Sequence, residues 1–124
     1  RRYRALAESI PGVSVFGGSD GVEEFPQGDH DNFWLSSIVV DPQVTGWTAE
    51  QLRVSLASRS IEARPIWKPM HLQPVYADAP AYVNGTSEHI FAHGLSLPSG
   101  SAMTAVQFDR VVDAIGTFAK VGVG

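Results

Sequence analysis

A chain of 124 residues with 44% apolar content can bury one core and is too short for two comfortable ones. Its net charge of −4 excludes the dense basic face of a polynucleotide groove, and the lack of any cysteine excludes disulfides, thiolate metal sites and a cysteine nucleophile. No apolar run approaches the roughly eighteen residues of a membrane span, and absent cysteine suits a reducing compartment, so a cytoplasmic protein without nucleic-acid or membrane partners is expected.

In chain order, "RRYRALAES" reads as the last turns of a helix stopped by Pro11 and Gly12. It begins without a cap, which suggests a C-terminal fragment of something longer. Val13 to Phe16 form a short apolar patch, and the Gly- and Asp-rich stretch from 17 to 31 reads as a long surface loop. "NFWLSSIVVD" is predicted as a central strand, buried on both faces toward its C-terminal end and stopped by Asp41-Pro42. Thr48 and Gln51 form a capping box that opens a helix ending near Ser60, with Leu52, Val54, Leu56 and Ala57 as its apolar side. "SIEARPI" is predicted as a short strand that Pro65 stops. Asn84-Gly85 is a turn signal, and "SEHIFAHG" a short helix closed by Gly94 at the C′ position. "LSLP" is a brief strand. A second capping box, Thr104 with Gln107, opens a last helix whose Phe108, Val111, Val112, Ile115 and Phe118 or Ala119 recur at three- and four-residue steps. Several linkers are too short for parallel crossovers, so the expected fold class is α+β, a small, mainly antiparallel sheet packed with helices.

Candidate chemistry is sparse, with two lysines, Lys68 and Lys120, and four histidines, His30, His71, His89 and His93. His89 and His93 stand four apart on a predicted helix, the spacing that turns two imidazoles to one face for a metal, with Glu88 as a possible third ligand. Because spacing specifies no third ligand, a solvated helix face with aromatic contacts near Phe91 is the preferred reading, and "DHD", Asp29 to Asp31, reads first as a solubilising turn and only second as a cation site. No nucleophile elbow, Walker loop or dinucleotide fingerprint occurs, and Ser99 in "LPSG" lacks a local base. That motif also serves as a strand end and turn.

The stretch "ARPIWKPMHLQP", residues 63–74, is denser. Pro65 and Pro69 force Arg64 and Lys68 toward extended backbone, so the segment is expected to be stiff and projecting. Arg64 offers a planar fork for an anion, Trp67 a flat apolar wall, and His71 a ring that donates or accepts near neutral pH. Such a set suits an anionic ligand with a ring; the alternative is a proline-rich turn with Trp67 in the core and Arg64 in an ordinary ion pair.

"DNFWLSSIVVD", "LRVSLASRSIEARPIWKPMHLQPVY" and "LSLPSGSAMT" together closely resemble the C-terminal domain of the DegT/DnrJ/EryC1/StrS family of pyridoxal-phosphate sugar aminotransferases, over about 32–115. The resemblance implies that 1–11 end a linking helix and 12–124 form a small domain closing over a site in a large domain outside this chain. That large domain would carry pyridoxal phosphate on a lysine. The implied reaction moves an amino group, usually from glutamate, to a keto nucleotide sugar, in a homodimer. The family's substrate-facing histidine matches His71; Trp67, Lys68, Arg64 and Asn32 are carried over as further substrate-binding residues, and none as catalytic. Two departures stand out. Phe33 replaces the Arg or Tyr of many relatives, and neither lysine matches the Schiff-base position, so the 124 residues alone are expected to bind no cofactor productively and to catalyse nothing. A sugar dehydratase of the same family, or a stand-alone ligand-binding or regulatory module, would share this domain.

Overall fold

The structure, a computed structural model, describes residues 2–17 and 34–121. Helix α1 (Arg2–Glu8) leads into strand β1 (Val13–Phe16), followed by β2 (Ser36–Val40), the single-turn helix α2 (Pro42–Thr45) and α3 (Ala49–Ser58). Strand β3 (Arg64–Pro65) opens the proline-rich stretch, whose remainder folds into two 3-10 turns, Met70–Leu72 and Pro74–Tyr76. Helix α4 (Thr86–His93), strand β4 (Gly94–Leu97) and helix α5 (Ala105–Val121) complete the chain. The sheet runs β1-β2-β4-β3 with every neighbouring pair antiparallel.

Register sorts the side chains. Ile38 pairs with Leu95 and Val13 with Val40, so these residues share one face, which closes on Leu52 and Leu56 of α3 and on Val111, Ala114 and Ile115 of α5. Leu52 and Leu56 are fully buried, whereas Val54 and Ala57 face solvent, so only half of the expected apolar side of α3 meets the core. Phe108, Val112 and Phe118 flank the buried line of Val111, Ile115 and Ala119, as the α5 periodicity predicts. The opposite sheet face is polar at its centre, where Ser37 and Ser96 pair across the strands with their hydroxyls 3.0 Å apart.

Both capping boxes are present. Thr48 and Thr104 accept from the amides of Gln51 and Gln107, whose side chains accept in return from the threonine amides. Helix α3 ends in a Schellman motif: Ile61 N–H donates to Leu56 O, Ser60 N–H to Ala57 O, and Ser60 takes the left-handed conformation at φ 55°. Buried Ile61 and Leu56 supply the apolar contact that accompanies this motif.

Three local expectations are corrected. The strand expected over "SIEARPI" is reduced to Arg64–Pro65; it does end at Pro65, whose missing N–H an edge strand tolerates. Trp34 and Leu35 precede β2 as exposed residues. Gly94 is extended, φ −93°, and opens β4 directly; it is no left-handed cap. It is glycine because a Cβ there would lie on the carbonyl oxygen of Ile90 and 2.5 Å from Ile66 Cγ1. Among the described residues, no helix is long and apolar enough to cross a membrane.

Candidate functional site

The proline-rich stretch leaves the sheet at its β3 edge and places its side chains in different settings. Arg64 pairs in register with Ser96, and its guanidinium donates to Glu62 Oε1 from Nε at 2.8 Å, with Nη2 2.7 Å from the same oxygen. Both side chains are exposed, so this is a solvent-screened pair of modest strength. Trp67 is 69% exposed and is not core. Its ring lies 5.8 Å from that of Trp34, which is equally exposed, and the two planes are inclined by 35°. Lys68 is exposed, and its carbonyl accepts a bond from Gln73 Nε2 at 3.2 Å that folds the segment into the first 3-10 turn.

His71 is the most enclosed of the set. Its Nε2 lies 2.7 Å from Glu88 Oε1, and its side chain keeps 19% of its surface exposed. Glu88 is placed by the first turn of α4, which Asn84 starts by accepting the Thr86 amide into its side chain while Gly85 takes a left-handed φ of 86°. This contact therefore pins the proline-rich stretch to α4.

Two concavities result. A broad open cleft of about 1160 Å³ is lined by Trp34, Arg64, Ser99, Met103, Gln107 and Arg110. A smaller hollow of about 290 Å³ is lined by Met70, His71, Tyr76, Pro80 and Tyr82. Arg64 and His71 thus line separate concavities rather than one pocket, with the Trp34–Trp67 pair beside the larger. Asn32 lies outside the described residues, as do Phe33 and the "DHD" triplet.

The "LPSG" loop has the structural role. Ser99 Oγ accepts from the Ser36 amide at 3.3 Å and donates to Trp34 O at 3.4 Å, while Tyr3 Oη donates to Pro98 O at 2.6 Å. The same loop walls the larger cleft. Burial pushes the Tyr3 phenol up to about 12, against a smaller opposing pull from Arg2. Sequence alone did not single out Tyr3, because its partner is far away in the chain.

His89 and His93 stack on one another at 4.4 Å, and His93 Nδ1 lies 2.9 Å from the carbonyl oxygen of His89. Glu88 is engaged with His71, and among the described residues no group of three or more His, Cys, Asp or Glu is placed to hold a metal. Pyridoxal phosphate does not fit either lysine. Lys68 and Lys120 are both exposed, and neither lines one of the clefts described above, whereas a Schiff-base lysine must be enclosed against the cofactor ring.

Comparison with known proteins resolves the class. The DegT/DnrJ/EryC1/StrS aminotransferase family matches residues 2–116, and the chain belongs to that family. EpsN of Bacillus subtilis, whose name assigns it provisionally as a pyridoxal phosphate-dependent aminotransferase, is 34% identical over 108 residues, covering 82% of this chain and 27% of its own. A GDP-perosamine synthase of Caulobacter vibrioides is 30% identical over 83 residues, 67% of this chain and 22% of its own. The aminotransferase TlmJ from Streptoalloteichus hindustanus shares the fold, with a TM-score of 0.78 over 99% of this chain and 30% of its own, at 15% identity. The chain therefore spans about a quarter of the length of the relatives it matches.

Proposed function

We propose that this chain is the C-terminal small domain of a pyridoxal-phosphate-dependent aminotransferase that moves an amino group, with glutamate as donor, to a keto nucleotide sugar. Residues 1–11 would end the helix linking it to a cofactor-binding domain, and the working enzyme would be a cytoplasmic homodimer. The observation that carries this reading is a family match along nearly the whole chain to relatives about four times as long. The name of the perosamine synthase, a GDP-sugar enzyme, supports the nucleotide-sugar part.

On this reading His71, Trp67, Lys68, Arg64 and Asn32 bind the nucleotide sugar and none of them performs the chemistry. Pyridoxal phosphate would supply the electron sink for amino transfer from the other domain; these residues bind and orient the sugar. Two concavities flanking one stiff segment suit a ligand with two unlike ends, an aromatic base and a sugar joined by phosphates. The gene product including any upstream sequence is expected to contain a lysine-bearing domain and to turn yellow with cofactor; a product lacking both overturns the enzyme reading. The 124-residue chain titrated with a nucleotide sugar is expected to bind weakly or not at all. Micromolar binding lost in His71→Ala would instead support a stand-alone binding module.

A further inference from the structure

We infer that Glu88 is a positioning residue for His71, fixing the ring so that Nε2 carries the proton and Nδ1 alone is offered to the ligand. The inference rests on the substrate reading above for what that ligand is, and on geometry for everything else. The two residues are 17 apart in sequence and are joined by a single 2.7 Å contact between Nε2 and Oε1. A carboxylate only accepts, so in the neutral imidazole the hydrogen must sit on Nε2, which leaves the Nδ1 lone pair without a proton.

The surroundings make this bond more than a surface accident. The His71 side chain is four-fifths enclosed, and its wall of the smaller hollow is otherwise built from Met70, Tyr76, Pro80, Tyr82 and Val83, without a charged group. Glu88 stands in the first turn of α4, whose start is fixed by the Thr86 amide donating to the Asn84 side chain. The backbone on the other side is equally fixed: Leu72 N–H donates to Pro69 O and Gln73 N–H to Met70 O, closing the turn that carries His71. Ring position, ring rotation and proton placement are all set before a ligand arrives, so little ordering entropy is left to lose on binding.

The consequence concerns ligand chemistry. In the neutral form of the ring the free Nδ1 is an acceptor, which repels a phosphate oxygen and takes an O–H or N–H; in that form His71 reads a hydroxyl of the sugar or an N–H of the base, and the phosphates are left to other groups.

Ring-nitrogen NMR of the 15N-histidine-labelled 124-residue chain tests the positioning. It is recorded at about pH 8.5, some two units above the ordinary imidazole value of about 6.5. His71 is expected to show a protected Nε2–H proton and an unprotonated Nδ1. Glu88→Gln, whose side-chain oxygen still accepts, keeps that signal; Glu88→Ala loses it to solvent exchange while the amide spectrum away from α4 is unchanged. A wild-type ring without a protected Nε2–H, a proton on Nδ1, or a signal that survives Glu88→Ala overturns the inference. If Glu88→Ala does not fold, the wild-type and Glu88→Gln spectra decide, since loss of the signal in Glu88→Gln also counts against it. In the longer gene product, a bound nucleotide sugar should shift the Nδ1 resonance and the matching nucleoside diphosphate should not. An equal shift with the diphosphate alone refutes the ligand assignment. If neither binds, the substrate reading fails, and the ring-proton experiment still decides the role of Glu88.

Discussion

Substituting Gly94 by alanine isolates one physical cause, because the backbone there is extended and any residue can adopt it. On conformational grounds alone Gly94→Ala would stabilise the protein by about 0.4–1 kcal/mol, through a less flexible unfolded chain. Packing opposes this. The new methyl falls on the Ile90 carbonyl oxygen, a backbone atom of the turn just before β4, and 2.5 Å from Ile66 Cγ1. Relief needs a shift of the α4–β4 junction by nearly an ångström. Strand β4 is central, paired with β2 on one side and β3 on the other, so the shift strains two ladders at once. Overpacking of this kind costs about 1–3 kcal/mol. The net loss is then about 1–2 kcal/mol, or roughly 3–8 °C in Tm for a domain of this size. Urea unfolding followed by circular dichroism measures it, with Gly94→Asn as the companion variant. If Gly94 were a left-handed helix cap, asparagine would be tolerated better than alanine; the steric account requires asparagine to be at least as damaging. A Gly94→Asn protein as stable as wild type refutes the packing argument.

Three further outcomes are expected. Ser60→Gly should raise stability by about 1 kcal/mol, because Ser60 occupies the left-handed position of the Schellman motif at φ 55°, and unfolding midpoints report it. The Tyr3 phenol, raised to about 12 in the folded protein, ionises first in the unfolded chain; stability should therefore fall between about pH 10 and 12 and be unaffected by this group below. In Tyr3→Phe the corresponding part of that alkaline decline disappears, and overall stability drops by about 1 kcal/mol for the lost bond to Pro98 O. Trp67→Ala should leave the unfolding midpoint within about 0.5 kcal/mol of wild type, since the ring is 69% exposed, while weakening nucleotide-sugar binding in the longer gene product. A large stability loss would mean that the ring packs in solution more tightly than its exposure allows.

Much of the local architecture was legible in the residues. Two capping boxes, the α5 periodicity and the stops at Pro11-Gly12 and Asp41-Pro42 act within a few residues, so reading them needs no tertiary information. The α+β class with a mainly antiparallel sheet was expected and is found, and the family followed from the order of "ARPIWKPMHLQP" and "LPSG". What failed depended on distant atoms. Val54 fits the helical pattern yet faces solvent because, among the described residues, none covers that side, and Gly94 is demanded by Ile66 and the Ile90 carbonyl, where sequence suggested a cap.

The candidate site divides in the same way. Sequence by itself determined that the stretch around Trp67 is stiff, since prolines fix φ wherever they stand, and that it carries Arg, Lys, Trp and His together. Only the tertiary structure decided which of these share a cavity, because Arg64 is held at a sheet edge while His71 is drawn to α4. It also supplied Glu88, for which no local spacing gave a signal as the partner of His71. A hydrogen bond across 17 residues is set by where α4 lands on the sheet, and that position is a property of the packed core.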